Sequence, residues 1–350
     1  MPTLVYVSNG QDGDIGSYLM RTDGTLEPLA RIMAAGAVGP LAVSPDRRIL
    51  YAACRTQPYS VRAYTIDRAT GTLTFLAASP LVESFPYIAL DRTGRFLLGA
   101  SYSAHLVSVS AIGGDGRVAA TPQQVIPVGR NAHSIRVDES NRFVFVPALG
   151  TDQVFQFTFD AQTGRLSSNT PAIAPVTPGT GPRHFVTSRD NRFVYVLSEL
   201  LATVTTFALD GKTGLLTEVG VASGLPPDTL LVPGKPGGPI PRTERDIWAA
   251  DIHLAPNGRF IYISERTTST IGALSVDGTS GRLAYASTTA TERQPRGFAI
   301  DPTGRFMVVS GEKSETISVH ALDPATGEPR FLARYPGGRG ASWVEIVGLD

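Results

Sequence analysis

The strongest constraint on what this chain can fold into is a frame that recurs six times. VSPDRRILYAACR (43–55), LDRTGRFLLGASY (90–102), VDESNRFVFVPAL (137–149), TSRDNRFVYVLSE (187–199), LAPNGRFIYISER (254–266) and IDPTGRFMVVSGE (300–312) share one pattern. Each has an extended start, a tight turn built from Asp, Asn, Gly or Pro, and a run of alternating apolar and β-branched residues. Ile49, Phe96, Phe143, Phe193, Phe260 and Phe306 occupy equivalent places, at intervals of 47, 47, 50, 67 and 46 residues. A second signal falls between the frames, as GTLEPL, GTLTFL, GRVAAT, GRLSSN, GLLTEV, GRLAYA and GEPRFL. Each of these follows a turn and opens a further strand, and helical periodicity is almost absent.

Four short strands in about 47 residues make one β-propeller blade. In the unit around Phe193 the strands, numbered outward A to D, are FVTS, RFVYVLS, TVTTFALD and LLTEVGVAS. LVYVSN near the start is a B strand with no A strand before it, and ASWVEIVG (341–348) is an A strand with no B strand after it. Pairing the two completes a seventh blade and removes the exposed edge that an open sheet would carry. The sequence therefore predicts an all-β, seven-bladed propeller with four antiparallel strands per blade, one domain over residues 1–350. The long interval is explained by SGLPPDTLLVPGKPGGPIPRTERD (223–246), a Pro/Gly-rich insertion between a D strand and the next A strand. It reads either as a tolerated surface loop or as a lid over a site.

Bulk properties exclude several classes. Lys plus Arg and Asp plus Glu are both 31, so no global charge points to nucleic acid or an anionic membrane. Cys54 is the single cysteine, which rules out an intrachain disulfide and fits a reducing, cytoplasmic setting. The start lacks the basic and apolar regions of a signal peptide, and no apolar run is long enough to span a bilayer. The five histidines show no compact metal-ligand spacing, and there is no G-x-S-x-G elbow or P-loop.

The function is expected where the repeats differ. In an up-and-down blade, the start of strand A and the end of strand B meet at one mouth of the central channel. Six residues beyond each framing apolar position stand Arg55, Tyr102, Leu149, Glu199, Arg266 and Glu312. Ten residues before it stand Gly39, Pro86, His133, Arg183, Ala250 and Arg296, with Asp251 and His253 close by. Clustered arginines suit a phosphate or carboxylate, and a nearby His and Glu can move protons. The alternative is a ring of salt bridges holding blades together. His184, next to Arg183, is expected on the other side of its strand as a structural residue. Cys54 is expected in the core, and the turn arginines Arg95, Arg142, Arg192, Arg259 and Arg305 are expected in solvent.

The tips lie in stretches that resemble the bacterial propeller-type 6-phosphogluconolactonases: VSPDRRILYAACR, Ala132-His133-Ser134, GPRHF (181–185), Ser198-Glu199-Leu200, WAADIH (248–253), ERT (265–267), QPRGF (294–298) and Ser342-Trp343-Val344. A fungal enzyme that lactonises 3-carboxy-cis,cis-muconate is similar as well, and its His, Arg, Glu and Arg fall on His133, Arg183, Glu199 and Arg266. The resemblance covers nearly the whole chain. It implies hydrolysis of 6-phospho-D-glucono-1,5-lactone in the oxidative pentose phosphate pathway, with no metal and no organic cofactor. The expected partner is a small lactone, phosphorylated or carboxylated, and the expected state is a monomer or weak homo-oligomer. In the implied mechanism Glu199 or His133 is general base, and Arg183 or Arg266 stabilises the oxyanion. Arg296, with Arg55, holds the anionic group, while Tyr102, Asp251, His253 and Glu312 complete the rim. Partial burial of Glu199 is expected to bring its pKa toward working pH. The rival readings are a lactonase or lactonising enzyme for an unphosphorylated sugar-acid or muconate-type lactone, and a non-catalytic binding propeller.

Overall fold

A computed structural model describes residues 3–236 and 242–349. They form seven four-stranded antiparallel sheets around a central channel. Blade 1 combines Thr3–Asn9, Asp14–Met20 and Leu26–Met33 with the chain's last strand, Ala341–Gly348, as its inner strand. That closure is antiparallel and pairs Thr3 with Gly348 and Val7 with Val344. Blades 2 to 7 occupy 38–80, 87–127, 136–175, 182–223, 249–290 and 295–336 in unbroken order. The only helical element among the described residues is a 3-10 turn, Leu149–Thr151.

Each frame folds as its composition dictates. Asp91, Asp138 and Asp301 each turn a carboxylate oxygen back onto the backbone N–H groups four and five residues ahead, which sets the tight turn before strand B. Ser44 and Ser188 do the same with a hydroxyl. Strand B, such as Phe193–Ser198, is buried at every residue because blades pack on both its faces. That explains why it reads as an apolar run rather than a strict alternation. Seven buried clusters result, one between each pair of neighbouring blades, and they hold the ring together.

The turn arginines are exposed to solvent, as expected, but they are not without partners. Arg95, Arg142, Arg192, Arg259 and Arg305 each lay a guanidinium over the phenylalanine that follows. Each also donates to a carbonyl in the outer hairpin of the next blade: Ala161, Gly211, Gly278, Pro324 and Thr22. The same hairpin presents a glycine at positive φ against that phenylalanine, as with Gly214 on Phe143 and Gly281 on Phe193. The GRF and NRF motifs are therefore blade-to-blade latches.

Candidate active site

A one-residue slip in the inner strands builds the mouth. In blade 5, Pro182 pairs with Ser198 but Phe185 pairs with Val196, so Arg183 and His184 share the space opposite Leu197. Blades 2, 6, 7 and 1 slip at the corresponding place, where Gly39, Asp251, Arg296 and Ser342 lie. Such a bulge breaks the alternation of a strand and re-aims its side chains. Consequently His184 does not point away from the channel, as alternation predicts. It turns inward beside Arg183.

Glu199 is the hub. Its Oε2 accepts from Arg183 Nε at 2.9 Å and Arg266 Nη2 at 3.2 Å, and its Oε1 accepts from Arg242 Nη2 at 2.7 Å. Arg183, Glu199 and Arg266 are buried. Burial alone would raise the Glu199 pKa, but the charges of Arg266, Arg183 and Arg242 outweigh it and hold the carboxyl below its ordinary range. The expected rise toward neutral pH is thus reversed, and Glu199 stays ionised as the counter-ion of three guanidinium groups. Trp248 lies beneath two of them, 3.8 Å from Arg266 and 4.7 Å from Arg242. Arg183 Nη2 and Arg266 Nη1 have no bond to any described residue and are the donors left for a ligand. Burial, reinforced by Arg296, lowers the Arg183 pKa to about 10, which leaves it cationic at neutral pH.

His133 sits against this cage. Its Nδ1 is buried without a hydrogen-bond partner among the described residues, and its ring meets Tyr102 edge-on at 5.5 Å and His184 at 5.1 Å. Burial and the Arg183 charge push its pKa well below the ordinary 6.5, so it is a neutral imidazole. Arg296 and Glu312 form a looser pair at 3.5 Å, and Gln294 also binds Glu312 at 3.1 Å. Arg55 donates to Ser84 and leans over Gly39, where a Cβ would come within 2.8 Å of its Cδ. Asp251 and His253 lie lower, bonded to each other at 3.0 Å. They line the bore of the channel with His184, Tyr87 and Trp343, in a cavity of 440 Å³ that does not include Glu199 or Arg183. No group of three or more His, Cys, Asp or Glu among the described residues is arranged to hold a metal ion.

A family model described as "Lactonase, 7-bladed beta-propeller" matches residues 5–346. This chain belongs to that lactonase family. It is 38% identical over 348 residues to a 6-phosphogluconolactonase of Serratia proteamaculans (strain 568), covering 99% of each chain. It is 36% identical to one of Pectobacterium carotovorum, covering all of both. Among solved structures, the periplasmic gluconolactonase PpgL of Pseudomonas aeruginosa superimposes with a TM-score of 0.87 at 27% identity, over the full length of both chains.

Within this lactonase-family site, two residues escaped the sequence reading. Arg242 belongs to the long insertion. Gly234 N–H bonds Leu200, and Val232 pairs with Arg245 and Ile247, folding the loop back over the blade 5–6 rim. The described part of the insertion therefore contributes to the site; residues 237–241 lie outside the described ones. The excess length was a visible signal, but length cannot say which of its arginines turns inward. Trp248 was quoted only as part of WAADIH, and nothing in its spacing marked it as the platform for two arginines. No helix of the described residues is long and apolar enough to cross a membrane.

Proposed function

We propose that this protein hydrolyses 6-phospho-D-glucono-1,5-lactone to 6-phosphogluconate by direct attack of water on the lactone carbonyl. One observation carries the reading: a neutral His133, whose Nδ1 has no partner among the described residues, lies in the field of Arg183, and Arg183 and Arg266, held on one Glu199 oxygen, each keep a nitrogen with no bond to any described residue. His133 takes a proton as water oxygen bonds to the carbonyl carbon. Charge developing on the carbonyl oxygen falls to Arg183 Nη2 and Arg266 Nη1, a stabilisation of roughly 3 kcal/mol for a well-placed donor. The tetrahedral intermediate collapses by breaking the bond to the ring oxygen, which receives the proton back from His133. Glu199, fixed as a carboxylate by three arginines, orients the donors and takes no proton. Arg296 and Arg55 hold the phosphate, with Tyr102 closing the side next to His133. The full-length similarity to proteins named 6-phosphogluconolactonase supports the phosphorylated substrate.

One feature favours a less highly charged lactone. Glu312 stands 3.5 Å from Arg296 and offsets part of the positive charge proposed to hold the phosphate. A carboxylated or plain sugar-acid lactone would need less. Turnover of the purified protein on phosphorylated and plain gluconolactone, with and without chelator, decides between them. The proposal expects a kcat/KM at least about tenfold higher on the phosphorylated lactone and no effect of chelator; equal turnover would overturn the substrate assignment. The lone buried Cys54 supports a cytoplasmic setting for this reaction, and the closed ring supports a monomer or weak homo-oligomer.

A further inference from the structure

The position of Arg183 is set from below as well as from the side. Its Nε is committed to Glu199, while Nη1 donates to His184 Nε2 at 3.1 Å and to the Ala250 carbonyl. An imidazole nitrogen accepts from a guanidinium only if it carries no proton. His184 must therefore be neutral with its proton on Nδ1, and Nδ1 faces Asp251 Oδ1 at 2.9 Å. Asp251 is itself fixed by the Ile252 N–H at 3.0 Å and by His253 Nε2 at 3.0 Å. Tyr87, His133 and Trp343 flank the His184 ring, with centroids 4.9, 5.1 and 6.1 Å away.

We infer that Asp251 and His184 form a positioning pair for the reaction, in which Asp251 selects the His184 tautomer and His184 Nε2 holds the Arg183 guanidinium in its catalytic orientation. Without Asp251 the proton can move to Nε2 and present a donor to a donor, which unseats Arg183. His184 touches no substrate in this arrangement; it acts through Arg183 alone. The inference deepens the proposed lactone hydrolysis and rests on it for its kinetic readout.

The test uses full-length protein carrying His184→Leu, His184→Gln or Asp251→Asn. A glutamine can offer an oxygen to Arg183 and an N–H to Asp251, so it restores both bonds, whereas leucine restores neither. Displacing a catalytic group by about 1 Å costs on the order of 100-fold in rate. His184→Leu is therefore expected to lose about 100-fold in kcat with KM changed by less than about threefold. Asp251→Asn is expected to fall between it and wild type, and His184→Gln to recover at least about tenfold of the loss. A second readout needs no substrate: the Arg183 Nε–H resonance should be slow to exchange in wild type and His184→Gln and fast in Asp251→Asn. If wild type turns over no lactone, the resonance still decides the inference while the functional reading fails. Should His184→Leu not fold, the Gln and Asn variants carry the comparison. The pair has no positioning role if Asp251→Asn matches wild type in kcat and exchange, or if His184→Gln is no better than a folded His184→Leu.

Discussion

At the scale of single residues, the site is governed by one carboxylate serving three guanidinium groups. Glu199→Gln removes the charge that makes the burial of Arg183 and Arg266 tolerable and that holds the half-buried Arg242. Kinetics should show kcat reduced about 100-fold. The same variant carries a stability signature. The folded Glu199 pKa lies below its ordinary 4.5, so its contribution is complete above that value and fades as pH falls through the folded pKa. The difference in urea midpoint between wild type and Glu199→Gln should therefore shrink below about pH 4.5. A gap that stayed constant down to the acid limit would contradict the charge-hub account. His133 makes the complementary case. Held neutral well below 6.5, it gives a kcat/KM that is flat from pH 6.5 upward to about 8, and an inflection near 6.5 would remove it as the base. Arg242→Ala should lower kcat/KM about tenfold with little change in stability, because the two deeper arginines still neutralise Glu199.

At the scale of elements, the sequence shows why some parts were legible and others were not. The frames were readable because their turn chemistry and strand composition are local: Asp138 and Ser188 bind backbone groups only four and five residues away. The closing strand was readable because an A strand without a B strand is a visible remainder. The inner-strand bulges were not, since an inner strand such as Pro182–Thr187 is buried along nearly its whole length and has no alternation for an extra residue to interrupt, and His184 was misdirected for that reason. The latches were missed because their partners lie in other blades; Arg142 reaches Gly211 across 69 positions. They make a controlled comparison possible. Gly214 and Gly258 both hold positive φ, +76° and +71°, yet a Cβ at Gly214 would overlap the Phe143 ring while one at Gly258 meets nothing within 4 Å. Gly258→Ala should cost roughly 1 kcal/mol, the left-handed strain alone. Gly214→Ala should cost about 1–3 kcal/mol more by urea unfolding, because it adds overpacking at a blade interface. Equal losses would show that the latch contributes no packing.

At the scale of the whole molecule, ring closure and catalysis share one strand. Ala341–Gly348 pairs with Thr3–Asn9 and gives blade 1 its inner wall. The same strand carries Trp343, which packs 5.2 Å from Tyr87 and 6.1 Å from His184, the residue bonded to Arg183. Its removal would expose the Thr3–Asn9 edge and open one side of two of the seven interblade clusters, those that include Val347 with Leu349 and Ala341 with Val344. An uncovered, apolar strand edge pairs with other chains. A chain truncated after residue 340 should therefore lose its single cooperative unfolding transition, elute as aggregate on size exclusion and hydrolyse no lactone. A second chain keeps all 350 residues but carries Trp343→Phe. It should stay closed, unfold in one cooperative transition and elute as wild type does, because the backbone pairing is intact and a phenyl ring still covers Tyr87. Its kcat should fall less than about tenfold, through looser support of His184. If the truncated chain elutes at the wild-type volume and unfolds at the wild-type midpoint, the ring does not depend on its closing strand, and the blade interfaces alone hold the propeller shut.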